Sequence, residues 1–132
     1  MNRRLARLRA VQALYQVDLT DAGWKEAIEN TLDEGEEADA FLTETVKGTL
    51  DHKDEIDSHL KNHLQNWTLD RVGNVDRAIM RESVYEMLFV EEIPLHVSVN
   101  EAIELAKSFG GQEAGKFVNG VLSKVLEDCK RL

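Results

Sequence analysis

The chain has 132 residues, of which 42% are hydrophobic and 31% charged, and its 16 Lys+Arg against 25 Asp+Glu give a formal net charge of -9. That is one domain, large enough to bury a core without disulfides and too apolar to be disordered. No apolar run approaches the ~18–20 residues of a membrane span, and the basic start MNRRLARLRAVQ lacks the apolar stretch of a secretory leader.

In chain order the pattern reads all-α, with about seven helices, because no segment sustains period-2 alternation. The first helix is expected over about 2–19, capped by Asn2, with Leu5, Leu8, Tyr15 and Leu19 on one face. Asp21-Ala22-Gly23 breaks it, and Trp24, Ala27, Ile28 and Leu32 have the spacing of a short second helix. Asp33 to Glu37 reads as a solvated loop. Ala38, Phe41, Leu42, Thr45, Val46 and Leu50 make a third stripe, and a polar fourth helix over 51–66 carries Ile56, Leu60 and Leu64. No Gly or Pro marks the boundary between those two. A turn follows at Thr68-Leu69-Asp70.

Residues 75–90, VDRAIMRESVYEMLFV, have apolar side chains all round the wheel. That predicts a central apolar helix buried on several sides. After Pro94, Ser98 and Glu101 have the spacing of a capping box. Gly110-Gly111 supplies a stop, and a last helix over about 113–128 buries Phe117, Val118, Val121, Leu122 and Val125. No linker interrupts the pattern, so the helices are expected to pack as one unit.

The sequence holds no nucleophile elbow, no phosphate-binding glycine loop and no dinucleotide fingerprint. His59 and His63 have the i, i+4 spacing of a zinc pair, but His52 lies about 10 Å further along the axis. A polar helix face is the reading for all three, and no metal, cofactor or enzymatic activity is expected. The single Cys129 fits a reducing cytoplasm.

Charge is unevenly placed. Residues 1–16 hold four Arg and no acid, whereas residues 17–70 hold 15 acids against 4 Lys. Such a basic head on an acidic body is a pattern of nucleic-acid or membrane-surface binding. Arg3, Arg4 and Arg7 lie within about 100° on a helical wheel, so they can meet successive phosphates. Arg9 points away. Gln12 can read a base edge and Tyr15 can stack on one. The alternative is that these arginines form ion pairs with the acidic body. Lys116, Gly120 and Lys124 form a second stripe, and the helical glycines Gly115 and Gly120 imply a close approach to the backbone, by another helix or by RNA. The pairs Arg77/Arg81 and Glu82/Glu86 put like charges at i, i+4 and so require partners on other helices or another protein.

VQALYQVDL, WTLDRVGNVDRAIMRESVYEML, IPLHVSVNEAIELAKSFG and KFVNGVLSKV occur in the order and spacing of the NusB family of bacterial transcription antitermination factors. The chain resembles that family throughout, most densely over 67–125. The resemblance implies two packed helical bundles in one domain, an N-terminal subbundle of about 1–50 and a C-terminal one of about 51–132. It implies binding to the boxA element of nascent ribosomal RNA, in a heterodimer with the small-subunit ribosomal protein NusE. It also implies loading onto RNA polymerase with other Nus factors to suppress premature termination. Carried over, it assigns RNA contact to Arg3, Arg4, Arg7, Gln12, Tyr15, Lys116 and Phe117, and partner contact to Asp70 and Asp76. The other readings are a protein-binding adaptor, a homodimer that covers the arginine face, and an accessory domain like that of some ribosomal RNA methyltransferases.

Overall fold

The computed structural model describes residues 1–130, and among them six α-helices and one short 3-10 turn form the regular structure, with no strand. Helix α1 spans Arg3–Leu19 and is capped as expected, the Asn2 side-chain oxygen accepting from the Leu5 N–H at 2.8 Å. Its buried face is not the expected one. Tyr15 and Leu19 are exposed, Leu5 and Leu8 half-buried, and the buried residues include Ala6, Ala10, Val11, Ala13 and Leu14. Three alanines let neighbouring helices approach closely, so α1 packs on three of them at once: α2, α3 and α5.

Helix α2 (Trp24–Thr31) buries Ala27 and Ile28. The loop after it turns at Gly35, where φ is +84°. Helix α3 (Ala40–Asp51) begins at Asp39, whose carboxylate accepts from the Leu42 N–H at 2.9 Å. The unmarked boundary lies at His52, which leaves helical geometry at φ -109°, ψ 21°. Its ring stacks on Phe89, with centroids 4.1 Å apart. Helix α4 (Lys53–Lys61) buries Ile56 and Leu60 and ends earlier than expected, before Asn66 turns the chain at φ +65°. The 3-10 turn covers Leu69–Arg71.

Helix α5 (Asn74–Phe89) packs against α1, α3, α4 and α6. Its buried surface is not apolar throughout, because Glu82, Ser83 and Glu86 are buried along with Ile79, Met80 and Val84. Its two arginines and Glu86 find their partners on other helices. Arg77 bonds Asp18 of α1 at 2.7 Å, and Arg81 bonds Asp57 of α4 at 2.8 Å.

Helix α6 spans Leu95–Lys130 and starts directly after Pro94. The expected capping box therefore does not form: Ser98 and Glu101 sit inside the helix and bond elsewhere. The expected stop lies at Gly111, where φ 75°, ψ -167° leaves helical geometry, so α6 consists of two helical stretches that meet at a kink. Gly115 is buried under the aliphatic stem of Lys107, which folds back across the interruption, whereas Gly120 faces open space. The close approach that the glycines implied is thus made at Gly115 by this chain itself.

Only glycine adopts the Gly111 conformation without strain, and nothing crowds its missing side chain. Gly111→Ala is expected to destabilise the fold by about 1–3 kcal/mol through the backbone alone. Urea denaturation followed by circular dichroism measures this, and an unchanged midpoint would contradict the interruption.

Candidate nucleic-acid interface

The four arginines of α1 face three environments. Arg3 is exposed, and its guanidinium lies 4.0 Å above the Phe41 ring. The Arg4 side chain is 78% exposed and reaches Glu101 of α6 at 3.2 Å. Arg9 is buried against the loop after α2, where it bonds Glu36 at 2.9 Å and Asp33 at 2.8 Å. That loop is latched by an arginine rather than simply solvated. The bond from Arg9 holds Glu36 below the usual carboxylate range, helped by the Asp33 N–H.

Arg7 corrects the expectation of three guanidiniums on one open face. It is only 4% exposed. Residue 7 lies a turn inside the Arg3–Arg4 edge, where α5 and α6 close over it. Its guanidinium donates twice to Glu86, at 2.9 Å each. Glu101 stands 3.6 Å away on the other side. The Ser98 hydroxyl donates to Glu86 at 2.9 Å, and the Ser83 hydroxyl donates to the Ser98 carbonyl at 3.1 Å.

One guanidinium cannot neutralise two buried carboxylates. Burial pushes Glu82 well above its ordinary range, and the neighbouring Glu86 charge adds to this. Burial opposes ionisation of Glu86 too, but bonds from Glu82, Arg7 and Ser98 outweigh it and lower its pKa. Glu82 therefore keeps its proton and donates it to Glu86. Its other oxygen, Oε2, has no hydrogen-bond partner among the described residues.

Gln12 is half-buried; its side-chain oxygen accepts from Arg9 at 3.0 Å, which leaves its amide donors for other partners. Tyr15 is 38% exposed on the same helix. Between α1 and the first half of α6 runs a groove of about 410 Å³, with Leu5, Leu8 and Leu105 in its wall and Arg4 and Glu101 at its rim.

The remaining assigned residues meet elsewhere. Lys116 is exposed on α6. Phe117 lines a hollow of about 280 Å³ with Trp67, Val72 and Asp76, and an adjoining one of about 510 Å³ with Phe109. The structure thus brings Phe117 to Asp76 rather than to α1. Trp67 and Phe109 are 54% and 48% exposed. Partial burial alone raises the Asp76 pKa. Asp70 is exposed beside this surface. Sequence reasoning missed Trp67, Phe109 and Glu101. No role was assigned to Trp67 or Phe109, and Glu101 read as part of a cap. The three histidines do not converge: His52 stacks on Phe89, and His63 bonds Asp128. No helix among the described residues is long and apolar enough to cross a membrane.

The sequence matches the NusB family model over residues 4–127. It is 60% identical to the transcription antitermination protein NusB of Halalkalibacterium halodurans, covering 98% of this chain and 97% of that one. It is 53% identical to the protein of the same name in Bacillus subtilis, covering 99% of each. Among solved structures, NusB of T. maritima superposes with a TM-score of 0.84 at 33% identity, over 100% of this chain and 99% of that one. A structure of the antitermination factors NusB and NusE in complex with dsRNA superposes with a TM-score of 0.85 at 30% identity, covering 96% of each chain.

Two outcomes follow from the buried cluster. Arg7→Ala leaves Glu86 ionised without its cation and is expected to cost about 3–5 kcal/mol in urea denaturation. Adding Glu86→Gln should recover much of that loss; no recovery would mean that Arg7 acts through packing alone. Glu82→Gln is expected to stabilise the protein at neutral pH. Above the ordinary 4.5 the unfolded chain releases the Glu82 proton while the folded chain keeps it. Stability from that proton is therefore complete below 4.5 and is lost as pH rises toward the folded-state value. Glutamine is neutral in both states, so the variant's advantage should grow with pH and vanish below about 4.5. A pH-independent difference would refute the shared proton.

Proposed function

The chain belongs to the NusB family of transcription antitermination proteins, and on that premise we propose that it is an RNA-binding antitermination factor. It binds the boxA element of nascent ribosomal RNA together with the small-subunit ribosomal protein NusE, and it helps RNA polymerase to pass premature terminators. The observation that carries this reading is the likeness, along nearly the whole chain, to a NusB solved with NusE and RNA. Catalysis is no part of the role.

The RNA face lies along α1. Arg3 and Arg4 at its exposed start supply cations, the free amide of Gln12 addresses a base edge, and Tyr15 offers a stacking surface. Lys116 extends the cationic surface on α6. Arg7 serves this face from beneath, fixing α1 against α5 rather than meeting phosphate. Phe117 belongs to the edge between the RNA face and a second, protein-binding face.

That second face is the double hollow around Asp76. Exposed Trp67 and Phe109 give it apolar contact area. Asp76 is partly desolvated, and no ion pair satisfies it among the described residues. A basic protein would supply the missing cation, with Asp70 beside it, and the acidic body would steer its approach. Such a partner would also add cations for RNA that this chain lacks. A few phosphate contacts alone bind weakly and lose affinity with salt.

Fluorescence anisotropy with a boxA-type RNA and a scrambled control, with and without NusE and at several salt concentrations, tests this. The heterodimer is expected to bind much more tightly than the chain alone. Arg3→Ala with Arg4→Ala should weaken binding and reduce the slope of log K against log salt by about 1.4, from two lost contacts at about 0.7 each. Unchanged RNA affinity in that variant would instead support the adaptor reading, in which the arginines of α1 serve only the fold.

A further inference from the structure

Glu101 is in contact with both the exposed Arg4 and the buried Arg7 of α1. It bonds Arg4 through Nε at 3.4 Å and Nη2 at 3.2 Å, and it stands 3.6 Å from Arg7. Its own side chain is 19% exposed, at the rim of the groove between α1 and α6. Arg7 already has a full bidentate partner in Glu86. Glu101 therefore does not serve mainly to neutralise Arg7. What it neutralises is Arg4, the cation that faces solvent.

We propose that Glu101 is a built-in competitor for the RNA phosphate, holding the Arg4 guanidinium in the free protein and releasing it when RNA arrives. The inference rests on the RNA reading of α1 and names how that site is regulated. A carboxylate and a phosphate both offer two oxygens to the fork of a guanidinium, so they compete for one geometry. The Arg4 side chain is 78% exposed, which gives it freedom to swing outward. Arg7 makes the exchange inexpensive. When Arg4 leaves, Glu101 keeps a cation 3.6 Å away and is not stranded. The cluster thus has two arrangements, with Glu101 shared between two arginines or held by Arg7 alone.

This device sets a threshold. A loosely placed polyanion must displace an internal carboxylate before it gains Arg4, while an RNA seated along the whole of α1 does so with support from its other contacts. Glu104 is the natural control. It is exposed on the same rim, next to Lys107 at 3.6 Å, and does not touch Arg4. Removing its charge changes the local field but frees no arginine.

The experiment is anisotropy of the full chain with boxA-type and scrambled RNA, in the presence of NusE, for four variants: Glu101→Gln, Glu104→Gln, Arg4→Ala, and Arg4→Ala combined with Glu101→Gln. Glu101→Gln should tighten binding of both RNAs by about two- to fivefold, the range of an exposed ion pair. The tightening should exceed that of Glu104→Gln and should vanish in the Arg4→Ala background, since these sites act through one contact. Weaker or unchanged binding by Glu101→Gln would overturn the proposal and make Glu101 a support for Arg4. Tightening that survives Arg4→Ala would overturn it as a field effect, and tightening confined to boxA-type RNA would place Glu101 against a base. If Arg4→Ala alone leaves RNA affinity unchanged, the RNA reading of α1 has failed and the competitor role falls with it.

Discussion

The fold turns on one ion pair between Arg7 and Glu86. It joins the first helix to the fifth across 79 positions of sequence and, through Ser98, ties both to the sixth. Two charges taken out of water gain from each other only if their remaining donors and acceptors are also satisfied. Here the two bonds of the guanidinium fork, one hydroxyl and one shared carboxyl proton meet that need. The same pair explains why Glu82 stays protonated. With one cation inside and two carboxyls beside it, the charge balances only if one carboxyl remains neutral.

From this constraint follows the orientation of α1. Arg7 fixes it toward α5 and α6, while Arg9, about 200° further round the helix, fixes it toward the loop after α2. Pinned from two sides, α1 cannot roll, so the remaining faces of the helix are presented in a set direction. Arg3, Arg4, Gln12 and Tyr15 occupy those faces. Half of the basic head is spent inside the molecule so that the other half points outward with a fixed geometry. A segment charge of four arginines therefore overstates the field that an approaching polyanion meets.

Much of the helical layout was readable in the chain because it depends on local rules. Asn2 as a cap, the break after Leu19, and the left-handed stop at Gly111 each follow from one or two residues. The long-range pairing needed for Arg77 and Arg81 was also legible, since like charges on one turn demand partners elsewhere. What periodicity could not reveal was which hydrophobic stripe of α1 is buried. Its core face holds three alanines beside Val11 and Leu14, and a scale that rewards large side chains selects the wrong side. Ser98 and Glu101 fitted a capping box by spacing, but Pro94 already starts the helix, which frees both side chains for tertiary bonds. The burial of Arg7 was invisible for a related reason: nothing local distinguishes it from Arg4, three residues earlier and exposed.

Two acids with raised pKa values show how the same physics serves the interior and the surface differently. Glu82 is enclosed, so no solvent or partner can relieve it, and it takes the neutral form by keeping a proton. Asp76 is only partly covered, at the edge of a hollow walled by Trp67 and Phe117. It is desolvated enough to favour a neighbouring cation yet open enough to receive one. A carboxyl of the first kind fixes helices in place, whereas one of the second kind gains most when another molecule arrives. The net value of -9 distinguishes neither kind of carboxyl.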